Sequence, residues 1–172
     1  GAGASAGRSI FALATSHGFT GVNQSSGYGV SASVLAGEGD AKERDYEWRS
    51  ARYREDLADP IWIGRQAGER AVRRVNPGMV KSGVMPVIFD SRVGSSLVGH
   101  VVSAIGGSMI ARKTSYLLES LGEQLFNSGL SIIDDPLRLR GLGSRVFDGE
   151  GLPTSRHAII DKGVLTTWLM ES

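Results

Sequence analysis

Residues 59–78 read Asp-Pro-Ile-Trp-Ile-Gly-Arg-Gln-Ala-Gly-Glu-Arg-Ala-Val-Arg-Arg-Val-Asn-Pro-Gly, and this stretch decides the fold class. Asp59 is a helix N-cap residue, able to accept hydrogen bonds from free N–H groups, and Pro60 suits the first helical position. Ile61, Gly64, Gly68, Ala71, Val72 and Val75 recur at helical spacing as an apolar stripe, and Arg65, Glu69, Arg70, Arg73 and Arg74 fill the opposite face. Asn76-Pro77-Gly78 stops the helix. One helix is therefore bounded on both sides, and strand patterns lie beyond it in both directions.

Upstream, residues 10–37 read as β structure, punctuated by Gly18, Gly21 and Ser25-Ser26-Gly27. Tyr28, Val30, Ala32 and Val34 share one strand face, and Gly29, Ser31 and Ser33 share the other. A face of such small residues can approach another backbone or a ligand. Gly37 to Asp40 is a turn. A further strand covers 44–53, with Arg44, Tyr46, Trp48 and Ser50 on one side and Asp45, Glu47 and Arg49 on the other.

Downstream, Gly83 to Asp90 reads as an apolar strand, confined to an edge or a bulge because Pro86 has no N–H. A second helix begins near Ser91. Val93, Leu97, Val98, Val101, Val102, Ile105 and Met109 give it a broad apolar surface, which predicts a mostly buried helix. Gly106-Gly107 ends or bends it, and a short amphipathic segment covers Tyr116 to Leu121. Leu130 to Asp135 is a strand ending in two acids. Arg156 to Asp161 and Gly163 to Glu171 form a hairpin with Lys162-Gly163 at its tip. Strands, helix, strand, helix, strands is an α+β order with a mainly antiparallel sheet and two principal helices, not a parallel βαβ fold.

Composition narrows the function classes. The chain has 172 residues, 41% hydrophobic and 22% charged, as ordinary globular domains do. No apolar run approaches the ~20 residues that span a bilayer. Nineteen basic residues against 18 acidic ones leave a net charge of +1, which argues against a nucleic-acid binder. The absence of cysteine excludes a disulfide scaffold or a Cys-containing zinc site within this chain, and favours a cytoplasmic location.

Candidate chemistry is sparse. The histidines are His17, His100 and His157, and no two are four apart. His100 interrupts an apolar helix, so it is either a ligand or a hydrogen-bonded core residue. The core reading is favoured, because the nearest upstream carboxylate, Asp90, is ten residues earlier. Asp134-Asp135 could bind a cation or share a proton, but adjacent strand residues point apart, and capping the turn before Pro136 competes. Gly141, Gly143 and Ser144 resemble a phosphate loop only loosely. The arginines of the first helix could meet phosphate, although a solvated face accounts for them. No complete active site is readable from the residues.

Taken together, Gly1 to Ser5, Phe11 to Phe19, Ser91 to Arg112, Leu121-Gly-Glu-Gln124, Ser131 to Pro136, Gly141-Leu-Gly-Ser144, Phe147 to Gly151 and Asp161 to Leu165 resemble the TldD/PmbA family in order and spacing. The Leu-Gly-Glu-Gln and Gly-Leu-Gly-Ser segments resemble its PmbA (TldE) branch. The resemblance implies the core of the PmbA/TldD fold. It makes residues 1–172 part of the central and C-terminal region of a longer protein, with an N-terminal α/β domain before it and a Gly-rich segment after it.

The resemblance also implies function. Family members form a heteromeric metallopeptidase that matures or degrades peptides, and some have been called modulators of DNA gyrase. The TldD-type subunit carries His-Glu-x-x-x-His, whose Glu would act on a metal-bound water. Residues five apart on an ideal helix are ~140° apart, so these ligands need a local distortion to converge. Aligned on Arg112, the motif falls on Gly99 and Ala104 as ligand positions and His100 as the general-base position. A shift of one residue makes His100 a ligand but puts Val101 and Ile105 at the other positions.

The expectation is a non-catalytic PmbA/TldE-like subunit with no cofactor of its own. Zinc is expected in a TldD-type partner, and an extended peptide is the expected substrate. Homo-oligomerisation is a further expectation; membrane and nucleic acid are not expected partners. Strand addition at Gly27–Ala36 or at the Pro86 segment would capture the peptide. The alternatives are a self-sufficient peptidase pairing His100 with Asp134 or Asp135, and a gyrase-modulating module presenting Arg65, Arg70, Arg73 and Arg74.

Overall fold

The first two strands zip together from Ala2 opposite Ala32 to Ala14 opposite Thr20, forming a long antiparallel hairpin of β1 (Ala2–Ala14) and β2 (Thr20–Ala36). β1 thus begins at Ala2, not at Ile10. Residues 2–9 are Ala, Gly and Ser with one Arg and have little strand propensity of their own. Pairing with β2 imposes their conformation, helped by Ser9 Oγ···Ser25 Oγ at 2.7 Å and by Arg8 donating to Gln24 at 2.7 Å. β3 (Glu43–Ala51) pairs on the other side of β2, giving the order β1-β2-β3.

This computed structural model describes residues 1–170. It divides into two compact units: residues 1–82 with 136–154, and residues 83–135 with 155–172.

In the first unit, α1 (Pro60–Arg74) packs on β2 and β3. Asp59 caps it, accepting the Ile61 N–H at 2.9 Å, as its sequence requires. The helix is rotated from the expected stripe. Ile63, Ala67 and Ala71 are buried, whereas Ile61 and Val72 face solvent. The cause lies on β3, which turns its charged side inward and leaves Tyr46 and Trp48 exposed. Glu47 is 0% exposed and Asp45 is 5% exposed. Such carboxylates need cations. Arg70 binds Glu47 Oε2, Arg49 binds Glu47 Oε1, and Arg74 reaches Asp45 at 3.7 Å and Glu43 at 3.5 Å. The solvated arginine face holds for Arg65, Arg73 and Arg74, although Arg74 also reaches toward the acids of β3; Arg70 is the exception, turned onto the buried Glu47.

In the second unit, β4 (Ile132–Asp134), β5 (His157–Asp161) and β6 (Val164–Leu165) form an antiparallel sheet. Its core joins Ala104, Ile105, Leu117, Ile159, Ile160 and Leu165. The hairpin turn falls at Lys162 (φ 46°) and Gly163 (φ 84°), the left-handed pair that a two-residue type I′ turn demands. A Cβ on Gly163 would strike the Phe126 carbonyl oxygen. The second strand ends at Leu165. The remainder of the expected strand to Met170 is not a ladder, although Leu169 bridges Gly106, and Glu171 lies outside the described residues.

Two expectations fail here. Residues 83–90 form no strand, because no described neighbour offers them a ladder. α2 (Ser91–Ala104), capped by Asp90, is not mostly buried: Val93, Leu97 and Val98 stay exposed, and only Ala104 is buried. Apolar pattern predicts burial only where a partner element exists. The amphipathic segment from Tyr116 begins as turns over residues 116–119, with the Ser115 hydroxyl accepting the Leu117 N–H at 2.9 Å. The Gly106-Gly107 break is observed: α2 closes at Ile105, and α3 (Gly107–Ala111) follows.

Candidate functional site

The positions that would carry a metal motif occupy the last two turns of α2. The helix is α-helical throughout Ser91–Ala104, without a π-type turn. Residues five apart therefore keep their ~140° separation. Gly99 faces open space, with nothing within 4 Å of where a Cβ would stand. Ala104 is 4% exposed and sits in the core. His100 is exposed, which overturns the reading of it as a hydrogen-bonded core residue. Gly99 and Ala104 have no side-chain donor atom for a metal, and among the described residues no three His, Asp or Glu side chains group as a metal would need. These residues do not fit a zinc ion.

The two acids have different neighbours. Asp134 stands opposite His157 in the β4–β5 register, and Asp135 faces Arg156 at 3.7 Å. His157 Nδ1 lies 3.2 Å from the Ser155 carbonyl.

Gly141-Leu-Gly-Ser144 is a latch within the first unit, not a phosphate cradle. The Ser144 hydroxyl donates to Arg138 O at 2.6 Å, and the Ser144 N–H donates to Gly141 O at 3.2 Å. Arg52 donates to the carbonyls of Gly141 and Leu142 and, at 3.2 Å, to that of Ser26. A loop that offers carbonyl oxygens to a guanidinium presents the wrong polarity to phosphate. Beside it Arg140, at φ 60°, stacks over Tyr53 at 4.2 Å and binds Asp56 at 2.8 Å. That hydrogen bond and the charges of Asp56 and Glu55 hold Arg140 above its ordinary pKa.

Phe147 to Gly151 is also structural. Phe147 packs on Phe11 and Phe19, with ring centroids 6.3 and 5.0 Å away. Asp148 accepts the N–H groups of Leu152 and Glu150 at 2.9 Å each, and these bonds hold its carboxyl below the usual range.

Asp45 and Glu47 form a buried pair of carboxylates on β3. Burial pushes Glu47 upward, but the Arg70 hydrogen bond, the Trp48 N–H and the charges of Arg49 and Arg70 outweigh it, and the net pKa is lowered. Sequence reasoning grouped Asp45, Glu47 and Arg49 on one face but had no signal for which face turned inward. Arg52 was missed outright, because its partners are backbone carbonyls that leave no sequence pattern.

On the face opposite α1, Gly3, Ser5, Gly29, Ser31, Trp48 and Ser50 line a shallow trough. This is the small-residue face expected from the sequence. Over Tyr28–Ala32, β2 cannot take a peptide by strand addition, because β1 and β3 occupy both of its edges. Among the described residues, no helix is long and apolar enough to cross a membrane.

Residues 2–75 match the PmbA/TldA metallopeptidase central domain, and residues 82–172 match the PmbA/TldA metallopeptidase C-terminal domain. The metalloprotease PmbA of Escherichia coli O157:H7 is 40% identical over 157 residues, covering 91% of this chain and 35% of that protein. The PmbA homolog of Haemophilus influenzae is 39% identical over the same shares. The chain thus spans about a third of the length of these relatives. A crystal structure of a modulator of DNA gyrase from Bacteroides thetaiotaomicron superposes with TM-score 0.93 at 34% identity, covering 99% of this chain and 39% of that one. TldE from Thermococcus kodakarensis shares the fold, with TM-score 0.73 at 18% identity and the same coverage.

Proposed function

The chain belongs to the PmbA/TldD metallopeptidase family, and from that premise we propose that it forms part of a PmbA/TldE-like, non-catalytic subunit. That subunit shapes the peptide path of a cytoplasmic TldD/TldE-type peptidase that matures or degrades peptides. A TldD-type subunit supplies the zinc and the general base. The residues here belong to the central and C-terminal region of the subunit.

One observation carries this reading. The helix that should bear the ligands has Gly99 in open space and Ala104 in the core, and neither side chain has a donor atom for a metal. Two other observations argue against the competing readings. Asp135 is engaged with Arg156, and Asp134 stands opposite His157 in the strand register. Arg70 and Arg74, half of the arginine set that a nucleic-acid surface would use, are committed to Glu47, Asp45 and Glu43.

Metal analysis and a peptidase assay on the protein alone test the proposal. The expected result is zinc well below stoichiometric and no hydrolysis, with hydrolysis appearing on addition of a TldD-type subunit. Stoichiometric zinc and hydrolysis without a partner would sink it.

A further inference from the structure

Residues 135–156 connect β4 to β5 with neither a helix nor a strand of their own. Connections longer than ~12–15 residues without secondary structure are uncommon and usually functional. β4 and β5 pair at Asp134 and His157, and Asp135 meets Arg156 at 3.7 Å, so the connection leaves and returns through a closed neck. Between these points residues 136–154 belong to the first unit, although the chain on either side belongs to the second.

This loop is bonded to itself in two rings. The Arg145 N–H donates to Pro136 O at 2.9 Å and the Ser144 hydroxyl to Arg138 O at 2.6 Å, closing residues 136–145. The Thr154 hydroxyl donates to Arg145 O at 2.6 Å, its N–H to Val146 O at 3.1 Å, and the Asp148 N–H to Leu152 O at 2.9 Å, closing residues 145–154. Arg145 belongs to both rings, its N–H to one and its carbonyl to the other, so loosening either ring loosens its neighbour.

The attachments to the rest of the unit are of another kind. Among the described residues, no backbone-to-backbone hydrogen bond joins 136–154 to 1–82. Side chains hold the loop at two ends. At one end Arg52 donates to the Gly141 and Leu142 carbonyls, and Arg140 binds Asp56 and stacks over Tyr53. At the other, Phe147 lies on Phe11 and Phe19, and a Cβ on Gly151 would strike the Phe19 ring. Phe11 is an even number of residues from Gly3 and Ser5, so alternation seats Phe147 at the end of the small-residue face. Within 136–154 only Phe147 and Gly151 are buried. Neither ring has a core of its own, and neither outlasts the anchors. Few buried apolar groups and exposed backbone hydrogen bonds are the marks of a segment that opens below the global unfolding free energy.

We propose that residues 136–154 are a strap that lets go of the β1–β2 hairpin in one cooperative step, with Arg52 as its latch. Release uncovers the Phe11 end of the small-residue face, while the neck at Asp135 and Arg156 keeps the strap in place to close again. The inference goes beyond the subunit role proposed above and uses no residue of the motif helix.

Native-state amide exchange tests it. The amides of Ser144, Arg145, Asp148, Leu152 and Thr154 should share one opening equilibrium, reached well before that of the β1–β2 ladder. Arg52→Ala should accelerate exchange at all of them by a common factor, roughly 10- to 100-fold, the size of one lost charge-assisted hydrogen bond. The far end carries the test, because Asp148 and Leu152 make no contact with Arg52. Phe147→Ala acts from that far end and should accelerate Ser144 and Arg145 as much as Asp148. Arg52→Lys keeps the charge but loses the fork that reaches two carbonyls, and should accelerate the same amides by less. Circular dichroism shows whether each variant is folded, and Arg52→Lys carries the latch test if Arg52→Ala is not. Acceleration confined to the end that was mutated overturns the proposal. So does wild-type exchange of these amides only together with the β1–β2 ladder.

Discussion

Arg70→Ala separates a buried ion pair from the surface arginines around it. Glu47 is 0% exposed, and the Arg70 side chain, 23% exposed, is bonded to its Oε2. Removing one partner of a buried pair costs about 3–5 kcal/mol, because the remaining charge is stranded. Arg49 keeps its bond to Oε1, so the lower end applies, about 3 kcal/mol. For a unit of this size, each kcal/mol is about 4–8 °C in melting temperature, so the expected drop is about 12–24 °C. Arg73→Ala is the control. Its partner Glu69 lies 3.9 Å away on the exposed face, and its loss should stay within about 0.5 kcal/mol. The assay is a thermal melt followed by the fluorescence of Trp48 and Trp62. Acid adds a second signature. The folded Glu47 carboxyl titrates below its unfolded value, so its contribution is full above the unfolded pKa and is lost as pH falls through the folded one. Without Arg70, burial raises this carboxyl, and protonation relieves the variant. The gap between wild type and variant should therefore narrow between neutral pH and about pH 3. Equal losses for Arg70→Ala and Arg73→Ala, or a gap that does not change with pH, would refute the reasoning.

Three further outcomes are expected. Gly99→His, His100→Glu and Ala104→His together restore the letters of the metal motif but not its geometry, so calorimetry should detect no tight zinc binding; Ala104→His alone should cost about 1–3 kcal/mol by overpacking the core. Gly163→Ala should destabilise the second unit by about 1–3 kcal/mol in chemical denaturation, because the turn needs φ 84° and the new Cβ meets Phe126 O. Phe147→Ala should cost about 3–5 kcal/mol and make residues 136–154 the first site of limited proteolysis, since the ring seats that loop on Phe11 and Phe19; an unchanged cleavage pattern would count against that docking.

Local chemistry was legible where it is self-contained. Asp59-Pro60 and Asn76-Pro77-Gly78 bound α1 because capping and chain termination depend on neighbouring residues only. Lys162-Gly163 marks its turn for the same reason. The spacing of Gly99, His100 and Ala104 on one helix could likewise be judged before any coordinates, since helical angles follow from residue number. What remained undetermined was every choice that depends on a distant partner. Alternation on β3 divides Asp45 and Glu47 from Tyr46 and Trp48, yet hydrophobicity points the aromatic face inward. The structure buries the acids, because Arg70 and Arg74 approach from a helix more than twenty residues away. Val84 to Phe89 has the composition of a strand but no ladder, because a strand exists only when a second backbone pairs with it. The sequence by itself determined which segments can be helix or turn, since that chemistry lies within a few residues. Only the tertiary structure decided which faces are buried and that Gly99 and Ala104 lie on opposite sides of the core boundary, since burial is set by whatever packs against each surface.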